Sequence, residues 1–284
     1  MPDTVAVVGL GNMGAGIART LARAGYHVLG VDPSPDAPAR IGADLPVVDL
    51  HQALRRAATL VLSLPGSPQV EKVLLGTGGL TDTDVPHRLV IDTSTSDPLS
   101  SRRIAQRLAD GGNSYVDAPV SGGPSGAAQG TLTMFLGGED DAVAEAKGVL
   151  DVIAAHVVRV GGPGAGHVAK LINNLLCATH LQIAGEALRI ARAAGLDPER
   201  VVGAVNAASG RSAVTEVNLA RWVLPGTFDS GFTLGLMARD VALATEVARA
   251  LQVDTPLVED VSQTWQETRD RLGADADFNR MAQA

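Results

Sequence analysis

Residues 4–32 read TVAVVGLGNMGAGIARTLARAGYHVLGVD, and this stretch decides the fold. Thr4–Leu10 is a short β-branched run leading into glycine, the pattern of a strand buried on both faces. Gly9-Leu10-Gly11-Asn12-Met13-Gly14 follows at once, Ala15–Ala24 reads as a helix, and Gly25 stops it. His27–Asp32 (HVLGVD) is the second strand. A lone GxGxxG is weak. Between a strand and a helix, with an acid closing the next strand, it is the pattern of a dinucleotide-binding loop. Gly9 permits the tight turn, Gly11 lets the backbone approach a pyrophosphate, and Gly14 lets the helix pack closely on the strand. The helix N-terminus then receives the negative charge. Gly9, Gly11, Asn12, Met13 and Gly14 are therefore the candidate cofactor cradle. A carboxylate at Asp32 can accept hydrogen bonds from both ribose hydroxyls and would repel a 2′-phosphate. No arginine follows it until Arg40, so NAD is favoured over NADP.

Outward from this unit the pattern repeats. Thr59–Pro65, Leu89–Asp92, Tyr115–Val120, Thr131–Leu136 and Val157–Val160 read as further strands, with helical periodicity at Val70–Leu75 and Leu99–Leu108. Strands alternating with helices predict an α/β fold with a mostly parallel, doubly wound sheet of Rossmann type. The clearest seam is Gly161-Gly162-Pro163-Gly164. Beyond it only helices are legible: Gly164–Ala194, Pro198–Ala208, Leu234–Leu251, Pro256–Arg271 and a short Asp277–Ala282. The expected organisation is a nucleotide-binding domain over 1–162 and an all-helical domain over 163–284, joined by a long helix.

That helix opens GAGHVAKLINNLLCATHLQIAGEALRIAR at residues 164–192 and is apolar almost all round, as a buried helix is. Lys170 and Asn174 nevertheless sit inside it, at i and i+4 on one face. A buried amine without a role is costly, and burial lowers a lysine from its ordinary value of about 10.4 toward the range of proton transfer at neutral pH.

Composition narrows the classes. The 284 residues suffice for a large core, and with 45% hydrophobic but only 3% aromatic residues that core must be aliphatic. A formal net charge of −8 and no long basic run argue against nucleic acid or an anionic membrane as partner. The single cysteine, Cys177, cannot form an internal disulfide, and no apolar leader opens the chain, which together point to a reducing cytoplasm. The six histidines form no i, i+4 pair, and no metal is expected. No nucleophile–base arrangement is evident.

Ligands of doubly wound sheets bind at the carboxyl edge of the strands. Three candidate loops lie there: Leu64-Pro65-Gly66-Ser67, Thr93-Ser94-Thr95, and Ser121-Gly122-Gly123-Pro124-Ser125-Gly126. The last is dense in glycine and serine and can aim backbone N–H groups at a carboxylate.

Taken together, these motifs resemble the β-hydroxyacid dehydrogenase family, nearly end to end. Gly9–Gly14 is similar to its dinucleotide loop, Asp117–Gly123 (DAPVSGG) to its substrate signature, and Gly164–Asn174 (GAGHVAKLINN) to its catalytic helix. The resemblance implies hydride transfer between NAD and a small β-hydroxy acid, with Lys170 as general acid/base and Asn174 orienting. Ser121, Gly122 and Gly123 would hold the substrate, Thr95 would reach the nicotinamide, and Leu64 and Pro65 would line the cofactor. Where the family has Lys-Asp-Leu, this chain has Arg239-Asp240-Val241, so Arg239 is a cofactor candidate with altered geometry. The family's dimers and tetramers imply self-association. Two alternatives stand beside it: an imine reductase of the same architecture, a class that usually lacks the lysine, and a reductase of small aldehyde acids such as tartronate semialdehyde, succinic semialdehyde or glyoxylate.

Overall fold

The computed structural model describes residues 4–283, which divide into two compact units, one ending at Lys170 and one starting at Leu171. The division falls inside a helix, α8 (Ala165–Ala193).

In the first unit β1 (Thr4–Val8), β2 (His27–Val31), β3 (Thr59–Leu62), β4 (Leu89–Asp92) and β5 (Ser114–Asp117) run parallel in the order β2-β1-β3-β4-β5. Next comes β7 (Leu132–Gly138), antiparallel to β5 and to the short β6 (Val120–Ser121), and parallel to β8 (Ala154–Gly161). The stretch read as one strand over residues 115–120 is thus two, broken at Ala118-Pro119, where proline has no N–H to give a ladder.

Alternation along each strand feeds two cores. Val5 and Val7 of β1 join Leu89, Ile91 and Val116 under α1 (Asn12–Arg23) and α7 (Asp140–Ile153). Ala6 and Val8 join Leu60, Leu62 and Val90 under α3 (Leu50–Arg56), α4 (Ser67–Leu75) and α5 (Pro98–Asp110). Helices on both faces leave the parallel strands β1, β2, β3 and β4 almost no face for water, which is why they read as largely aliphatic runs, whereas β8 is exposed along most of its length. Four α-helices of this unit were not legible in the sequence, α2 (Ala37–Ile41), α3, α6 (Gly123–Gln129) and α7, and in the second unit neither was the π-helical stretch Val214–Val223. Of these, α6 corrects the reading of residues 121–126 as a loop, since the glycines lead directly into a helix.

The second unit holds the rest of α8, then α9 (Pro198–Asn206), a π-helical segment Val214–Val223, α10 (Leu234–Ala250), α11 (Pro256–Leu272) and a 3₁₀ segment Phe278–Gln283. Its core gathers Ala178, Leu181, Ala184 and Leu188 of α8 with Met237, Val241 and the fully buried Trp265. Here the expectation of an α8 buried all round is corrected. Only one side packs inward, and Ile172, Leu176, Ile183 and Ile190 are 52%, 52%, 56% and 71% exposed in the single chain. No helix among the described residues is long and apolar enough to cross a membrane.

Candidate active site

The ends of five parallel strands lie in register: Val31 beside Val8, Val8 beside Leu62, Leu62 beside Asp92, and Asp92 beside Asp117. The other loops singled out in the first unit leave toward the same side, that after Ser121 from β6, which runs in the same direction as β5.

The glycine loop leaves this edge of the sheet after β1, between β2 and β3. Gly9 has φ +91°, and a Cβ there would stand 2.2 Å from the Ser63 carbonyl oxygen. At Gly14 a Cβ would stand 1.9 Å from the oxygen of Gly9, so α1 can start against the strand only without one. Gly11 differs: a Cβ would meet nothing within 4 Å, and the residue is exposed. Two glycines serve the protein's own packing, and the third borders open space. α1 starts at Asn12, with Met13 half-buried beside it. Asp32, just past β2, accepts from Leu10 N–H through Oδ2 at 2.6 Å and from Ser34 N–H through Oδ1 at 2.8 Å. The acid is thereby fixed against the glycine loop, as a ribose acceptor requires. These residues fit a dinucleotide.

The next loops are tied together. Leu64 N–H donates to Ser94 Oγ at 3.0 Å, and Asp97 N–H to Ser67 Oγ at 2.7 Å. Leu64 and Thr95 are half-buried, and Pro65 is exposed. On β6, Ser121 is paired with Thr133 and partly exposed. Gly122 (φ +124°) and Gly123 (φ +64°) then turn the chain through conformations that side chains resist. Lys170 is 8% exposed, whereas the other two lysines, Lys72 and Lys147, are exposed.

In the second unit Asn174 is 4% exposed. Its Nδ2 donates to Asp240 Oδ2 at 2.7 Å, and Arg239 grips the same carboxylate through Nε (3.1 Å) and Nη2 (2.7 Å) to Oδ1. In the sequence Asp240 is only the middle of the Arg239-Asp240-Val241 motif, yet its buried carboxylate fixes which way the Asn174 amide points.

A second missed group lies under the edge. Asp92, Tyr115, Asp117, Ser101 and His167 are buried together. The Tyr115 hydroxyl donates to Asp92 at 3.1 Å, and burial, reinforced by the charges of Asp92 and Asp117, pushes the phenol well above its ordinary 10. Ser101 Oγ lies 2.7 Å from His167 Nδ1, a nucleophile–base pair that the sequence did not suggest. Both are 0% exposed, so no substrate reaches them, and the pair is structural. No sequence signal linked them, because Ser101 and His167 come from separate helices.

Comparison with known proteins places the fold in a family. A family model described as the NAD binding domain of 6-phosphogluconate dehydrogenase matches residues 4–162. Another, the NAD-binding part of NADP-dependent 3-hydroxyisobutyrate dehydrogenase, matches residues 164–284. The 2-hydroxy-3-oxopropionate reductase of Escherichia coli is 32% identical over 279 residues, covering 98% of this chain and 95% of its own. The structure of Mycobacterium tuberculosis 3-hydroxyisobutyrate dehydrogenase with L-serine superposes at a TM-score of 0.92 with 29% identity, covering 100% of this chain and 99% of its own. An imine reductase from Myxococcus stipitatus shares the fold alone, at a TM-score of 0.64 and 16% identity, covering 100% of this chain and 99% of its own. The chain thus belongs to the β-hydroxyacid dehydrogenase family of oxidoreductases, with a Rossmann-type sheet followed by a helical domain.

Proposed function

We propose that the protein transfers a hydride between NAD and a small β-hydroxy acid of the 3-hydroxyisobutyrate type, with Lys170 as general acid/base. The observation that carries this reading is Lys170 itself: 8% exposed, and one helical turn from the buried Asn174. Ser121 and the N–H groups of Gly122 and Gly123 hold the substrate carboxylate. Lys170 takes the hydroxyl proton in oxidation and returns it to the carbonyl oxygen in reduction. Asn174 orients the hydroxyl or the amine, and Asp240 keeps the Asn174 amide from flipping. When bound, NAD accepts the hydride from the hydroxyl-bearing carbon. The glycine loop and α1 would hold its pyrophosphate, Asp32 its ribose, and Leu64, Pro65 and Thr95 the remainder. NAD is preferred to NADP because the fixed Asp32 carboxylate repels a 2′-phosphate. Reduction of a small aldehyde acid is the same chemistry run backwards.

Self-association belongs to the same proposal. The exposed Ile172, Leu176, Ile183 and Ile190 recur at helical spacing along α8 and suit a second copy of the chain.

A panel of β-hydroxy acids, followed by absorbance of the reduced cofactor, tests the reading. Turnover of at least one acid with NAD is expected. Lys170→Ala should lower kcat by about 100-fold or more while NADH still binds. Turnover of that variant near the wild-type rate would remove Lys170 from the mechanism. Turnover of cyclic imines but of no acid would favour imine reduction.

A further inference from the structure

We propose that Asp117 and His167 are positioning residues that set where the Lys170 amine stands. The proposal rests on the reading of Lys170 as the proton-transferring group.

The residue before α8 is Gly164, which has no side chain to cap it. Its first turn is instead capped from β5, far away in sequence. Asp117 Oδ1 accepts from Gly164 N–H at 2.8 Å, and Oδ2 from His167 N–H at 2.9 Å. A carboxylate at a helix N-terminus satisfies donors that the helix cannot and sits at the positive end of its dipole. Three glycines permit the approach. A Cβ at Gly166 would lie 2.3 Å from the Phe135 carbonyl oxygen and 2.7 Å from that of Asp117. At Gly137 it would lie 2.6 Å from Asp117 Oδ1, and Gly164 itself has φ +84°. The helix therefore starts in direct contact with the sheet edge.

His167 adds a second constraint. Its ring is 0% exposed. Nε2 faces the Ser94 carbonyl oxygen at 3.0 Å, which can only accept, so Nε2 carries the proton. Nδ1 pairs with Ser101 Oγ of α5 at 2.7 Å. The carboxylates of Asp92 and Asp117 stand 4.0 and 3.8 Å from the ring. Asp117 thus fixes the helix along its axis, and the ring bonds fix it in rotation. Lys170 is three residues beyond His167, about 4.5 Å further along the same side of the helix. The loop whose Ser94 carbonyl accepts this bond also carries Thr95, so one imidazole links the proposed nicotinamide segment to the proposed acid/base. Error of about 1 Å in such a placement costs up to about 100-fold in rate.

The test compares His167→Phe, which fills the volume but makes neither ring bond, with His167→Gln, which keeps a donor. Ser101→Ala, which only removes the Nδ1 partner, carries the same readouts if the phenylalanine variant does not fold. For each, kcat, KM and NADH affinity are measured, and the Cε signals of the three lysines are followed by NMR with 13C-labelled lysine. The expected result is a kcat lower by about 10- to 100-fold in His167→Phe and partly recovered in His167→Gln. NADH affinity should stay within about twofold, and the Lys170 signal should move while Lys72 and Lys147 stay fixed. An unchanged kcat and Lys170 signal would overturn the proposal. So would a kcat loss accompanied by equal loss of NADH binding with all three signals disturbed, since that is general structural damage. Lys170→Ala run in parallel separates the two readings. If it turns over normally, the acid/base assignment falls, while the Lys170 signal in the His167 variants still reports whether the ring places the amine.

Discussion

Asp32 shows how a residue's role is written twice, once in type and once in place. Its type says ribose acceptor. Its place, bonded to Leu10 and Ser34 N–H, says that it cannot swing away to admit a 2′-phosphate. Asp32→Ser should therefore raise kcat/KM with NADP relative to NAD by about tenfold or more, read from initial rates with each cofactor. His87 shows the opposite case, a residue whose behaviour only its neighbours explain. The Gly112 carbonyl and then Glu145 each accept from its ring, which raises its pKa above the ordinary 6.5. Its contribution to stability is thus complete below pH 6.5 and is lost as pH rises through the higher folded value. The difference in stability between wild type and His87→Gln, measured by urea unfolding, should be largest near pH 6 and shrink toward pH 8. A difference that grows with pH would show the sign to be wrong.

Caps decide where elements begin. Asp97-Pro98 ahead of Leu99–Leu108 is a cap followed by a proline in the first turn, and α5 starts there, with Asp97 accepting from Leu99 and Ser100 N–H. Asp97→Ala should cost about 1 kcal/mol in urea unfolding. α8 was legible as a long helix, but its cap was not, because Asp117 lies on β5. The same limit explains α6. Residues 121–126 have loop composition, and the helix forms because Gly126 and Ala127 pack under the sheet, where a Cβ at Gly126 would touch the Leu132 side chain. Short α2 and α3 offer too few turns for a period to emerge.

At the scale of the molecule, the aliphatic composition is matched by two sheet cores in one unit and a Trp265-centred core in the other. What composition does not account for is the apolar row left on the outside of α8. If a second chain covers it, Ile183→Arg should shift the native mass by light scattering toward one subunit, without loss of helical signal. A wild-type protein that runs as a monomer across a wide concentration range would refute the self-association proposal.

The sequence by itself determined the alternation of strand and helix, the glycine loop with its acid, the long helix with Lys170 and Asn174, and thereby the family. These are local patterns, set by periodicity, φ preference and spacing within one element. Only the tertiary structure decided which acids cap which helices, that Asp240 orients Asn174, and that His167 joins Ser94 and Ser101. It also decided which side of α8 stays uncovered. Each of these depends on groups far apart in the chain meeting across a sheet edge or between helices. No local pattern carries that information, because a buried polar group is satisfied by whatever the fold brings beside it.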